Sequence, residues 1–280
     1  MNKVVVITGG GSGMGLETAR IIGKNGYEVI ISGTNIEKLK KAKENLKIDG
    51  VNCEICLCDV SKKDDVEKLA NFALNFGEIY ALVNAAGVAP PAVTDEERVI
   101  DVNAMGTLYT NEIFYPIMAS GACIVNISSI TAYMIPKFMR PKKIYELAFK
   151  NSDKLRKKLI RLTRIFGRRY ASLIAYALSK NFVVYYVKKA SKKFYKENKV
   201  RVLSISPTNF KTPMGNRDAK KNPKSLKRYL SNQAIPISGN PEEIGFLISC
   251  LIDPRMGILT AEDIHVDGGW YGYNHGKVRW

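Results

Sequence analysis

The stretch Val4-Val5-Val6-Ile7-Thr8-Gly9-Gly10-Gly11-Ser12-Gly13-Met14-Gly15 decides the fold. Four consecutive β-branched residues read as a short strand buried on both faces. A glycine-rich loop follows at once, and then a helical pattern that ends near Gly26. Strand, glycine loop and helix in this order bring the N–H groups of a helix N-terminus to a diphosphate. The turn is tight and the ligand or a neighbouring strand comes close to the backbone, which is why glycine is needed. Gly9, Ser12, Gly13, Met14 and Gly15 are therefore the first candidate nucleotide-binding residues.

Outward from this stretch, strand and helix patterns alternate. Val29–Ser32, Cys53–Cys58, Ile79–Val83, Ile124–Ile127, Val200–Ile205 and Ile264–Val266 read as further strands, separated by amphipathic segments. The expectation is a doubly wound α/β sheet in a single domain over residues 1–280, and 46% hydrophobic residues suffice for its core. Two strand ends carry small or polar groups where ligands of open α/β sheets sit: Asn84-Ala85-Ala86-Gly87 and Ser128-Ser129. Tyr176 and Lys180 stand four apart in a helical run, so both side chains share one face. A phenol titrates near pKa ~10, and a neighbouring ammonium favours the phenolate. The pair is a candidate device for moving a proton to or from an alcohol or ketone oxygen. Spacing alone is weak evidence, because Tyr-x-x-x-Lys recurs by chance.

In combination and in order, these motifs resemble the short-chain dehydrogenase/reductase family. The resemblance runs from Lys3 to Gly269 and adds Asp59-Val60, Asn103 in Asp101-Val102-Asn103-Ala104-Met105-Gly106-Thr107, Pro207, Thr212-Pro213-Met214 and Val266-Asp267-Gly268-Gly269. It implies a Rossmann-type, parallel seven-stranded sheet with helices on both faces, binding a nicotinamide dinucleotide. The reaction implied interconverts a secondary alcohol and a ketone. By the same resemblance, Tyr176 carries the proton, Lys180 lowers its pKa and meets the nicotinamide ribose, and Ser129 positions the substrate oxygen. Asn103 supports a water that links the lysine to solvent. Asp59 meets the adenine amino group with Val60 beside the ring; Asn84, Ala85 and Gly87 border the ribose or ring; Pro207 and Thr212 border the carboxamide.

The second strand ends Ile31-Ser32-Gly33-Thr34-Asn35, so an acidic partner for a ribose 2′-hydroxyl is missing there. Thr34 is a neutral hydroxyl and Lys38 follows one turn on, which leans the reading to NADP(H) while leaving NAD(H) open. Thr208 after Pro207 replaces the glycine usual in the family. The larger departure is the gap of forty-six residues between Ser129 and Tyr176, far longer than the family pattern. The extra segment falls at about 136–171 and reads as a helical, basic insert. Between Lys137 and Tyr170 thirteen Lys or Arg face two acids, Glu146 and Asp153, so most of the +17 net charge is here. Ile144, Leu147 and Ala148 line one short helix; Asn151-Ser152 supplies a cap; Leu155, Leu159, Leu162 and Phe166 follow at helical spacing. Such a segment is expected as a flap or lid over the site, as packing against a second subunit, or as a means of steering an anionic substrate. Weak membrane-surface contact is a further reading. No nucleic-acid-binding motif accompanies it.

A long insert at this point resembles the hydroxysteroid dehydrogenase/carbonyl reductase subgroup, with coniferyl-type aryl-alcohol dehydrogenases as the alternative. That implies a bulky, apolar, ring-bearing substrate, including bile-acid types, with Tyr133, Met134, Ile135, Phe138, Met139, Phe210 and Met214 as pocket material. Trp270, Tyr271, Tyr273, His275 and Trp280 make an aromatic tail suited to closing a pocket or covering a neighbour. The resemblance also implies a homodimer or homotetramer. Five cysteines form no disulfide framework, and Cys53, Cys56 and Cys58 alternate along a strand with no histidine nearby, so no metal is expected. No apolar run reaches membrane-spanning length, and a cytoplasmic enzyme is the simplest reading. A rival of another class is a nucleotide-sensing scaffold that uses the basic insert to bind a partner.

Overall fold

The computed structural model describes residues 2–275 except 91, 166 and 222; Phe166 and Trp280 lie outside the described residues. The first half alternates strand and helix: β1 (Lys3–Thr8), α1 (Gly13–Lys24), β2 (Glu28–Gly33), α2 (Ile36–Ile48), β3 (Cys53–Leu57), α3 (Lys63–Leu74) and β4 (Glu78–Asn84). Then come α4 (Glu96–Ile100), a π-helical turn (Asp101–Met105), α5 (Gly106–Phe114) and β5 (Cys123–Ile127). The remainder is α6 (Lys142–Tyr145), α7 (Ser152–Thr163), α8 (Arg168–Asn198), β6 (Arg201–Pro207), α9 (Pro213–Lys221), α10 (Pro223–Leu230), α11 (Pro241–Ile252), β7 (Asp263–Val266) and α12 (Trp270–His275).

The seven strands form one parallel sheet in the order β3-β2-β1-β4-β5-β6-β7. The expected Rossmann-type arrangement is present, and each strand read from the sequence is found within two residues of its expected bounds. Alternation along each strand splits the core into two layers. Val4, Val6, Ile30, Leu82, Ile124 and Val202 face α3, α5 and α8. Val5, Ile7, Val29, Ile31, Val83 and Val125 face α1, α2 and α11. Cys53 belongs to the second layer, Cys56 and Cys58 to the first, as the period of two requires.

The chain leaves β1 towards β2 and β3, then returns to β4 and moves the other way. The order reverses between β1 and β4, and a crevice opens at their carboxyl ends. There the two strand-end loops touch. A Cβ on Gly9 would stand 2.7 Å from the backbone nitrogen of Ala86, and one on Gly15 would stand 2.6 Å from the Gly9 carbonyl oxygen. Thr8 fixes the contact from its side, accepting at Oγ1 from the Ala86 N–H at 3.2 Å.

Much of the segment at 136–171 packs on the body of the protein, and its end brings Arg169 to the cavity described below. Its helix α7 packs against α4 and α8, with Leu155, Leu159 and Ile160 buried in the first core layer. Asn151 caps α7, its Oδ1 accepting from the Lys154 N–H at 2.8 Å. Arg156 bonds Asp101, and Arg164 bonds Glu96 and Glu97, so two of the thirteen cations are spent on the α4 region. The apolar spacing that makes α7 amphipathic is what draws it onto the body. Its presence means that a helix of this chain occupies one surface of α8.

Leu159→Ala is expected to lower the unfolding free energy by about 2–5 kcal/mol, read from urea denaturation; a change near zero would mean that the segment is not part of the core.

Candidate active site

Tyr176 and Lys180 lie on α8, which hydrogen bonds of Lys180 tie to the carboxyl end of β5. Lys180 is only 5% exposed. Its Nζ donates to the Ile127 carbonyl oxygen at 2.8 Å and lies 5.9 Å from the centre of the Tyr176 ring. Ser129, two residues past the end of β5, is buried; its Oγ accepts from the Thr131 N–H at 3.2 Å and from the Thr131 hydroxyl at 2.8 Å. The buried Ser128 hydroxyl donates to the Lys180 carbonyl at 2.9 Å, a second tie between β5 and α8.

Asn103 stands on the π-helical turn and is buried. Its Oδ1 accepts from the Val88 N–H at 2.9 Å, and its Nδ2 donates to the Val88 carbonyl at 2.8 Å. Gly87 separates it from the lysine: a Cβ there would stand 3.4 Å from Asn103 Oδ1 and 3.6 Å from Lys180 Nζ. The structure thus brings Ser129, Tyr176 and Lys180 to one wall of a cavity, with Asn103 behind Gly87.

The cavity measures about 650 Å³. Met14, Ala85, Gly87, Pro207 and Thr212 line it from the expected cofactor side. Gly13 backs onto Thr212, a Cβ there falling 3.3 Å from the threonine Cβ. The Ser12 side chain makes no cap bond to α1, so N–H groups of the first turn are left unspent. An unspent helix N-terminus with a glycine approach is what a diphosphate requires. Gly11 abuts the backbone and Cβ of Lys38 at the start of α2, and Thr34 is exposed just past the end of β2.

Two expected contacts have other occupations. The Asn84 amide is turned into the sheet, donating to Asn126 Oδ1 at 2.8 Å, and Asn84 does not line the cavity. Asp59 accepts from the Ser61 N–H and hydroxyl and pairs with Arg98 at 3.0 Å. Burial pushes its carboxyl up, but these bonds and the guanidinium outweigh burial and hold it below the usual range. Val60 is buried against Gly106.

Of the residues expected to shape a substrate pocket, Met134, Phe210 and Met214 line the cavity. Tyr133 does not: its hydroxyl donates to Asp263 at 2.6 Å and its ring packs on His265 and Tyr271. Ile135, Phe138 and Met139 do not line it either, because the chain turns outward at Pro136. α9 and α10 contribute Met214, Asp218, Leu226 and Tyr229 to the lining instead. Trp270 stacks on Tyr229 at 5.6 Å, so the tail packs on α10 beside the cavity. Arg169, Thr131, Asp218 and Tyr229 were not singled out from the sequence. Only Thr131, two residues from Ser129, carried a local signal; the others reach the cavity through helix packing.

The phenol does not titrate as its lysine neighbour alone would dictate. Burial raises the Tyr176 pKa, against the pull of the Ser129 and Thr131 hydroxyls, and Asp218 adds to the rise. Burial also brings Lys180 down from its ordinary 10.5 to about 8. The ammonium is itself desolvated and spends a donor on Ile127, so its hold on the phenolate is reduced.

Two family models match the chain: "short chain dehydrogenase" over residues 3–140 and "Enoyl-(Acyl carrier protein) reductase" over residues 154–271. The chain belongs to the short-chain dehydrogenase/reductase family. An uncharacterized oxidoreductase of Staphylococcus aureus (strain USA300) is 34% identical over 145 residues, which is 49% of this chain and 62% of that protein's length. The short-chain dehydrogenase/reductase aba4 of Botryotinia fuckeliana is 26% identical over 96% of both chains. The crystal structure of a single-substitution variant of actinorhodin polyketide ketoreductase with NADPH superposes with a TM-score of 0.76 at 22% identity, covering 96% of this chain and 97% of that one, and shares the fold.

The depressed lysine gives a test with a defined sign. Between pH 8 and 10.5 the unfolded lysine holds a proton that the folded one has lost, so this group's contribution to stability rises with pH across that window. In urea denaturation without cofactor, wild type is expected to gain about 3 kcal/mol on Lys180→Met over the window; no relative gain would mean that the buried amine is not depressed.

Proposed function

We propose that this protein is a nicotinamide-dependent oxidoreductase interconverting a secondary alcohol and a ketone, with Tyr176 as proton carrier. One observation carries the reading: Tyr176, Ser129 and Lys180, distant in the chain, line one cavity that the glycine loop also borders. A binding protein has no chemical need for all three. Tyr176 donates its proton to the carbonyl oxygen in reduction and takes it from the alcohol in oxidation. The Ser129 hydroxyl, held by Thr131, fixes the substrate oxygen beside the phenol. Lys180 favours the phenolate at the moment of transfer, and Asn103 keeps the Val88–Gly87 loop clear of it. The cofactor, when bound against Gly9, Ser12, Gly13, Met14 and Gly15, supplies or accepts the hydride.

Thr34 and Lys38, with no acid at the end of β2, favour NADP(H) over NAD(H); the NADPH held by the ketoreductase of the same fold is in keeping with this. The substrate is a bulky, largely apolar ketone or alcohol of hydroxysteroid type. The support is the cavity volume, within the range of sites for drug-sized molecules, and the apolar lining from Met134, Leu173, Met214 and Leu226.

Tyr176→Phe is expected to cut turnover at least roughly 100-fold while leaving NADPH affinity unchanged. The readouts are NADPH absorbance with a panel of steroid and aryl ketones, and cofactor fluorescence titration. Retained turnover would overturn the role of Tyr176; firm cofactor binding with no turnover on any ketone by the wild type would favour the scaffold reading.

A further inference from the structure

The charge of this chain is not spread over it. Residues 137–170 hold thirteen cations and two acids, and residues 211–228 hold seven cations and one acid. These two segments account for the entire +17, and the rest of the chain is neutral. They are far apart in sequence, yet both end at the same cavity. The first supplies Arg169, and the second supplies Met214, Asp218 and Leu226.

The same border is apolar where it meets water. Met134 and Leu173 line the cavity and are 51% and 57% exposed. Just beyond Met134, Phe138 is 89% exposed, with Met139 beside it, between Lys137 and Arg140 and ahead of Lys142 and Lys143. No acid occurs from residue 134 to 143 or from 164 to 175. A side chain as large as Phe138 gains nothing from standing in water. An acidic protein or a nucleic acid would explain the cations and leave these apolar tips without a purpose. Cations around exposed aromatic and aliphatic tips match a surface that is anionic outside and apolar beneath.

We propose that the cavity mouth docks on an anionic lipid bilayer, with Phe138 and Met139 entering the acyl region and the flanking Lys and Arg meeting the headgroups. The docking stands on charge and exposure alone. Its purpose, uptake of an apolar ketone or alcohol directly from the bilayer, rests on the function proposed above. No described helix is long and apolar enough to cross a membrane, so the attachment is to the surface.

The test is co-sedimentation of the full chain with phosphatidylcholine vesicles, with and without phosphatidylserine, in the absence of cofactor and substrate. Retention is expected on the anionic vesicles only. Phe138→Ser with Met139→Ser should weaken it roughly tenfold or more, and Lys142→Gln with Lys143→Gln by about fivefold per charge. Phe138, Met139, Lys142 and Lys143 are all exposed, so circular dichroism should be unchanged. Absence of retention on anionic vesicles overturns the proposal. So does retention that ignores the Phe138/Met139 change, since that would mark a general polyanion site for an acidic protein or nucleic acid. Vesicle binding by an enzyme that turns over no ketone would sink the catalytic reading and leave the docking intact.

Discussion

A single ammonium group, withdrawn from water at the end of a parallel strand, organises this site. Lys180 is nearly as buried as the core residues, and among the described contacts its ammonium donates to the Ile127 carbonyl. Burying a charge with one neutral acceptor is costly, and depression of the pKa towards neutrality is the outcome. The same bond fastens α8 to β5, so the residue proposed to act on the phenol also helps to set its distance from Ser129. The Ser128 hydroxyl bonded to the Lys180 carbonyl repeats the tie one residue along the strand end. Chemistry and architecture meet in one side chain.

The segment before α8 extends this bracing. Tyr145 is fully buried, and its hydroxyl lies 3.1 Å from both the Leu178 carbonyl and Asn181 Oδ1. Asn181 in turn donates to the Ala132 carbonyl at 2.8 Å. The loop carrying Ser129 and Thr131 is therefore linked, through the residue after Lys180, to the first helix of the insert. A long insertion between Ser129 and Tyr176, the residues proposed to act on the substrate oxygen, would be expected to loosen their relation. Here it packs beneath them, and its buried tyrosine stiffens the connection.

Much of this was legible in the sequence, and the reasons are physical. All seven strands were readable because runs such as Val4–Ile7 and Ile124–Val125 are β-branched and buried on both faces. The glycine loop was readable because Gly9 and Gly15 meet backbone that admits no Cβ. Tyr176, Lys180 and Ser129 were readable from spacing and strand-end position together with the family resemblance. What escaped is what depends on the direction a side chain takes after the backbone is set. Asn84 was placed correctly at a strand end, but its amide serves Asn126 across the sheet. Phe138 and Met139 have the composition of pocket residues, and only the turn at Pro136 sends them outward. The insert was readable as amphipathic helix but not by destination, since an apolar stripe does not say which surface it will cover. Asp218 and Tyr229 belong to α9 and α10, whose sequence reads as an exposed basic helix pair; their inward residues were hidden among lysines.

The separation of charge from core gives the final step. A net charge this large, spread evenly, would act on every partner alike and oppose compaction everywhere. Confined to two segments, each of which contributes residues to the cavity, it leaves the rest of the chain neutral. Its cost to folding is small because most of these side chains remain hydrated at the surface, and the half-buried Arg156 and the exposed Arg164 meet carboxylates of α4 and the turn that follows it. The basic segments thus consist of two populations on the same helix, one that secures α7 to the body and one that faces outward. Only the outward population is free to act on something beyond the chain, and the first is what holds α7 against the body.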